Sequence, residues 1–204
     1  MDIDRIVFLD LETTGFDERK GCILESGIIV CDLDLNELGR DSTVIESTAV
    51  GQYYFDPTAE KMHAASGLLA ESNGSLYGTA DAEDYAMTLM AKTGCKPKQT
   101  MIAGNSIGFD VRWLREHMPR LHDFFVYRVL DISSFHAAAT FWAVPPPKPT
   151  PAHRALADCE NSLAGARFYR DLFRSHAKRT EASEQNANLT FPPPGQLGFP
   201  DAHQ

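Results

Sequence analysis

Arg5-Ile6-Val7-Phe8-Leu9-Asp10-Leu11-Glu12-Thr13-Thr14-Gly15 starts as an apolar run and closes on two carboxylates. The run reads as a buried strand. Alternate side chains of a strand share a face, so Asp10 and Glu12 point together while Leu9 and Leu11 point away. Two carboxylates on one face repel unless a cation sits between them. Hard oxygen donors suit Mg²⁺ or Mn²⁺. The pair alone fits a metal site and a strand-end charge cluster equally well. Other acid-x-acid pairs, Asp2/Asp4, Asp32/Asp34, Asp81/Glu83 and Asp158/Glu160, read as solvated surface in at least one member. Only Asp10/Glu12 directly follows a run of four apolar residues.

A chain of 204 residues with 43% hydrophobic and 23% charged content suits one globular domain with one substantial core. No stretch approaches the roughly 18 apolar residues of a membrane span. The acidic first residues give no sign of a secretory signal. Cys22, Cys31, Cys95 and Cys159 form no Cys-x-x-Cys spacing and read as reduced thiols in a cytoplasmic setting. A net charge of −9 disfavours coating of long nucleic acid through its phosphates and favours small or short ligands.

Residues 5–12, 22–32 and 42–50 read as three strands whose short connections make them antiparallel. A helix is expected over 79–92 with Thr79 as N-cap, then a strand at 100–105 and a helix at 107–117. A strand at 126–132 and a helix at 133–142 follow. The last helix, 154–176, carries Leu156, Cys159, Leu163, Ala166 and Phe173 on one apolar face. Strands followed by alternating strands and helices indicate an α/β domain with a mixed sheet flanked by helices. Residues 144–152 are proline-rich and read as an extended connection. The expected division is a domain over 1–177 and a Pro/Gly-rich tail over 178–204, flexible or docked on a partner.

Three further segments add chemistry. Met101-Ile102-Ala103-Gly104-Asn105-Ser106-Ile107-Gly108-Phe109-Asp110 is a strand, a tight turn and a helix start bearing Asp110. Tyr127-Arg128-Val129-Leu130-Asp131-Ile132-Ser133 is the second, and His153-Arg154-Ala155-Leu156-Ala157-Asp158 the third. Taken singly, each has a bland reading: Asp110 and Asp158 as first-turn helix acids, His153 as a loop histidine, Ser106 as a turn residue. Five residues of helix turn through about 500°, so His153 must sit before or at the start of the helix that carries Asp158.

Together, in this order, these segments resemble the DEDDh-type 3′→5′ exonucleases and, within that superfamily, the oligoribonucleases, from about residue 5 to 175. Met62-His63-Ala64-Ala65-Ser66-Gly67-Leu68 and the closing Arg167-Phe168-Tyr169 belong to the likeness. It implies a ribonuclease H-like fold and a homodimer. It implies that Asp10, Glu12, Asp110 and Asp158 hold two divalent ions, Mg²⁺ or Mn²⁺, and that His153 is the general base. Two-metal sites suit phosphodiester hydrolysis, and imidazole, with an unperturbed pKa of about 6.5, accepts a proton near neutrality. The likeness further assigns His63, Ser106, Tyr127, Arg128 and Ser133 to the terminal phosphate and nucleotide, with Tyr127-Arg128 reaching the partner subunit's site.

The implied activity is release of nucleoside 5′-monophosphates from short single-stranded RNA, or short DNA as well. The alternative is a DNA-directed, proofreading-type exonuclease. Three positions depart from the family pattern. Phe109 replaces a glutamine, Phe16 replaces a wedge leucine but can still stack on a base, and Thr58 stands where a tryptophan is expected. These departures touch substrate length preference more than chemistry.

Overall fold

A computed structural model describes residues 3–47, 54–142, 148 and 152–187. Its strands are β1 (Arg5–Thr13), β2 (Ile23–Cys31), β3 (Glu37–Val44), β4 (Thr100–Gly104) and β5 (Val129–Asp131). The helices are α1 (Pro57–Ala65), α2 (Leu68–Gly74), α3 (Thr79–Lys92), α4 (Gly108–His117), α5 (Pro119–Phe124), α6 (Ile132–Phe141) and α7 (Ala155–Ala187). The sheet order is β3-β2-β1-β4-β5, antiparallel through the first three strands and parallel from β1 to β4 to β5. This is the mixed, helix-flanked α/β sheet expected. No described helix is long and apolar enough to cross a membrane.

Several elements differ from the expectation. The third strand is Glu37–Val44 rather than 42–50, and 48–50 lie outside the described residues. As an edge strand it pairs only with β2, and it carries Glu37, Arg40 and Asp41 where a buried strand would carry apolar residues. Helix α3 is capped from Gly78, whose N–H donates to Asp81 Oδ2 at 2.8 Å, not from Thr79. Helices α1, α2 and α5 were not anticipated. α1 has clear starting chemistry, because the Asp56 carboxylate accepts from the N–H groups of Thr58 and Ala59 and Pro57 fills its first turn. Most of the proline-rich segment lies outside the described residues. So does 188–204 of the expected tail, whose first part continues α7 to Ala187. The chain divides into two units, Met1–Arg167 and Phe168–Gln204, and the site lies wholly in the first.

The two faces of the sheet differ in kind. Val7, Leu9 and Leu11 of β1 join Ile28 and Val30 of β2 on one face. There they pack with Ala86 and Met90 of α3 and Trp113 and Leu114 of α4. Every residue of β2 is buried, which accounts for its nearly continuous apolar run. On the opposite face the register pairs Phe8 with Ile29, Asp10 with Gly27 and Glu12 with Glu25. Directly opposed residues project to the same side, so both carboxylates of β1 meet the start of α7.

Gly27 makes this approach possible. A Cβ there would lie 2.4 Å from the carbonyl carbon of Ala155 and 2.5 Å from the nitrogen of Leu156. The contact is backbone on strand, and Cys159 Sγ donates to Gly27 O at 3.3 Å alongside it. Gly27→Ala is therefore expected to lift the start of α7 and to cost about 1–3 kcal/mol, the usual range for overpacking. Urea denaturation checks this as a lowered midpoint at unchanged slope; an unaltered midpoint would show that the helix does not rest on this strand.

Candidate active site

The parallel ladder between β1 and β4 ends at Phe8 opposite Ala103. Beyond it the Leu11 N–H has no strand to meet. Asp110, in the first turn of α4, fills that place: its Oδ1 accepts the Leu11 N–H at 2.9 Å, and the side chain is buried. Asp158 arrives from the other direction, in the first turn of α7, where its N–H donates to Arg154 O at 3.0 Å. One carboxylate oxygen from each of Asp10, Glu12 and Asp158 lies within 4.8 Å of the others. Asp110 stands outside that mutual group but close enough to Asp10 for its charge to be the largest one raising the Asp10 carboxyl.

The electrostatic consequence is large. Burial, then Asp110, Glu12 and Asp158, drives the Asp10 carboxyl well above the carboxylate range. Burial pushes Glu12 up to about 7, helped by Asp158 and Glu25 and opposed by Arg154. Burial pushes Asp110 up to about 8 against the Leu11 N–H that favours its charge. Such a cluster holds protons near neutrality unless a cation takes their place. Several carboxylate oxygens converging from three elements are the donor set of a hard divalent ion. The residues present therefore fit a divalent metal.

His153 lies in the short segment before α7, exposed and with φ of 50°, as its spacing from Asp158 requires. It is near enough to His63 for a charge on its ring to disfavour protonation of His63. His63 lies inside the fold. It is fully buried, with Nε2 2.9 Å from Thr13 O and Nδ1 3.8 Å from Glu12 Oε2. Burial lowers its pKa, so the ring is neutral and the approach to Glu12 is not an ion pair. With the Nε2 proton given to the Thr13 carbonyl, Nδ1 is left without a partner. His63 is thus packed against Glu12 and tied to the end of β1.

Ser106 and Ser133 come together across the ends of β4 and β5, their hydroxyls 3.4 Å apart. Asp131 organises them, its Oδ1 accepting from Ser106 N, Ser133 N and Ser133 Oγ at 3.0, 2.9 and 2.6 Å. Tyr127 and Arg128 precede the edge strand β5 and engage each other: Arg128 Nε donates to the Tyr127 hydroxyl at 2.9 Å and its guanidinium lies 5.4 Å from the ring. Tyr127 is 82% exposed. Phe16, 76% exposed, meets Phe109 edge-on at 6.2 Å. With Leu11, Thr58 and Met62 they line a cavity of about 220 Å³ that reaches Glu12.

Sequence reasoning passed over three of these residues. Asp131 belongs to the 127–133 segment but carries no assigned role there. Glu25 and Arg154 were not singled out, although a lone acid in the apolar Ile23–Cys31 strand signals a buried partner. That partner is Arg154, whose Nε and Nη2 lie 3.1 and 3.0 Å from the two Glu25 oxygens.

A sequence model of the Exonuclease family (RNase T type) matches residues 7–165. The oligoribonuclease of Corynebacterium diphtheriae is 35% identical over 194 residues, covering 92% of each chain. That of Corynebacterium efficiens is 38% identical, covering 83% of this chain and 79% of its own. That of Marinobacter nauticus is 34% identical, covering 83% and 96%. Among solved structures, Escherichia coli exonuclease I in complex with a dT13 oligonucleotide superposes with a TM-score of 0.64 at 18% identity, over 84% of this chain and 43% of that one. A zinc-bound complex of the same enzyme with single-stranded DNA gives 0.62, covering 81% and 40%. This likeness concerns the fold, since the chain spans about two fifths of the length of those proteins. The chain therefore belongs to the exonuclease family and, within it, to the oligoribonucleases.

Proposed function

We propose that this protein is a metal-dependent 3′→5′ exoribonuclease that releases nucleoside 5′-monophosphates from short single-stranded oligoribonucleotides in the cytoplasm. The observation that carries the reading is the convergence of Asp10, Glu12 and Asp158 oxygens within 4.8 Å, with buried Asp110 beside them. In this reading these four residues would hold two divalent ions, Mg²⁺ or Mn²⁺. When bound, such ions make water acidic and neutralise charge on the attacking and leaving oxygens of phosphodiester hydrolysis.

The remaining roles belong to the chain itself. An imidazole nitrogen of His153 accepts the proton of the attacking water. The Ser106 hydroxyl, on a backbone whose N–H is held by Asp131, exchanges its long bond to Ser133 for one to the phosphate of the terminal nucleotide, while Ser133, whose own proton goes to Asp131, braces it. The Phe16–Phe109 cavity offers a ring surface to a nucleobase, and stacking of this kind accepts every base. An overall charge of −9 gives no track for a long polyanion, which favours short substrates. Tyr127 and Arg128, exposed before the edge strand, suit delivery to the site of a second copy, with Arg128 offering phosphate a planar fork.

Hydrolysis of end-labelled RNA and DNA of two, five and twenty nucleotides tests the substrate assignment. The two-nucleotide RNA is expected to turn over fastest; rapid digestion of the twenty-nucleotide DNA with the dinucleotide left intact would reject it. Asp10→Asn is expected to abolish turnover, whereas His153→Ala slows the hydrolytic step at least about 10²-fold with Mn²⁺ binding retained in calorimetry.

The raised carboxyls also set a pH dependence. Glu12 and Asp110, with pKa values of about 7 and 8 in the metal-free fold, keep protons that the unfolded chain has lost. Their contribution is full below the ordinary carboxylate range and is lost as pH rises toward 8. Metal-free protein should therefore melt lower at pH 8 than at pH 5.5, and Mn²⁺ should reverse the loss. Asp10→Asn should raise the metal-free Tm at pH 8 by roughly 3–6 °C. A Tm indifferent to both pH and Mn²⁺ would contradict the metal assignment. For the second copy, light scattering is expected to give twice the chain mass, and adding Asp10→Asn protein to Arg128→Ala protein should restore activity that neither has alone.

A further inference from the structure

We propose that Glu25, Arg154 and Glu71 form a positioning clamp that sets the place of His153 and Asp158 over the carboxylates of β1. The proposal rests on the roles given to His153 and Asp158 above. Its first element is Glu25, opposite Glu12 in the β1–β2 register and therefore tied to the strand that presents the acidic centre. The Glu25 carboxylate is buried and takes four donors. Arg154 Nε and Nη2 approach at 3.1 and 3.0 Å, the Ala155 N–H at 3.0 Å and Ser42 Oγ at 3.1 Å.

The same guanidinium reaches outward. Arg154 Nη1 and Nη2 donate to the two oxygens of Glu71 on α2 at 3.0 and 2.8 Å. One planar group is thus held by two carboxylates from different elements, a geometry open to Arg and closed to Lys. This anchored residue lies directly between the proposed base and the helix that bears the proposed ligand. Its carbonyl accepts the Asp158 N–H at 3.0 Å, which fixes the first turn of α7. On its other side His153 occupies the left-handed region at φ 50°, a conformation a residue with a side chain keeps only when its surroundings dictate it. The fork on Arg154 and the Glu25–Ala155 bond supply that constraint.

Arg154 contacts no group that reacts; its charge favours the ionised Glu12 from a distance, and its hydrogen bonds bear on the placement of its neighbours. A displacement of about 1 Å in a catalytic group can cost on the order of 10²-fold in rate. Arg154→Lys keeps the charge and loses the fork. Glu71→Gln alters only the half-exposed outer arm and leaves the buried pair in place.

The test measures kcat, KM for a dinucleotide and the Mn²⁺ concentration for half-maximal rate, for Arg154→Ala, Arg154→Lys and Glu71→Gln in the full chain. Arg154→Ala is expected to lower kcat about 10²-fold with KM changed less than about threefold, and added methylguanidinium should return part of that loss. Arg154→Lys should fall about tenfold, and Glu71→Gln about threefold with its melting temperature unchanged. Wild-type kcat in Arg154→Lys and Glu71→Gln would overturn the clamp. So would a loss confined to KM, or a loss in Arg154→Ala that follows melting temperature and does not respond to methylguanidinium. Failure of the underlying assignment looks different: His153→Ala would then retain full rate, whatever the Arg154 variants do.

Discussion

Repulsion among carboxylates is the constraint around which the rest of this protein is arranged. Asp10, Glu12 and Asp158 present oxygens within 4.8 Å, Asp110 adds a fourth acid, and Glu12 and Asp110 are buried. No chain would gather these groups for stability. The folding energy comes instead from the far face of the sheet, where β1 and β2 bury their Val, Leu and Ile side chains against α3 and α4. Two acids sit in the first turns of helices, where the dipole favours negative charge. The Leu11 amide and the Arg154 guanidinium oppose what remains.

Two kinds of surface adjoin the acidic centre: the serine hydroxyls held at the ends of β4 and β5, and an aromatic cavity beside Glu12. His63 belongs to neither. It is a neutral ring packed behind the carboxylates, tying α1 to the end of β1 through the Thr13 carbonyl. Asp131 is also indirect, since its oxygen is fully occupied in holding two serines across adjacent strand ends.

Much of this architecture was legible because it follows local rules. The alternation of β1 placed Asp10 and Glu12 together, and the spacing from His153 to Asp158 put the histidine outside the helix. What was not legible depends on partners distant in sequence. Edge strand β3 needs no apolar alternation, so its polar first half, 37–41, looked like a loop and the strand was expected to start at 42 and run on to 50. Burial of His63 depends on Thr13, fifty positions away, which no local pattern reports. Glu25 was hidden by the opposite effect: the apolar run around it was so plain that the single acid drew no notice. Helix α1 was missed despite its Asp56-Pro57 start, because its residues show little amphipathic contrast.

The two rims of the sheet are finished differently, and this governs what each could accept. Along β3, Arg40 is held by Glu37 and by Glu160, so that rim is a row of matched ions. A neighbouring chain that tried to extend the sheet there would have to strip those ions of water, which guards against runaway stacking of strands. The opposite rim, β5, is three residues long and preceded by the uncovered Tyr127. Among the described residues, strand addition is thereby discouraged along one margin, while the other is too short to offer a long ladder.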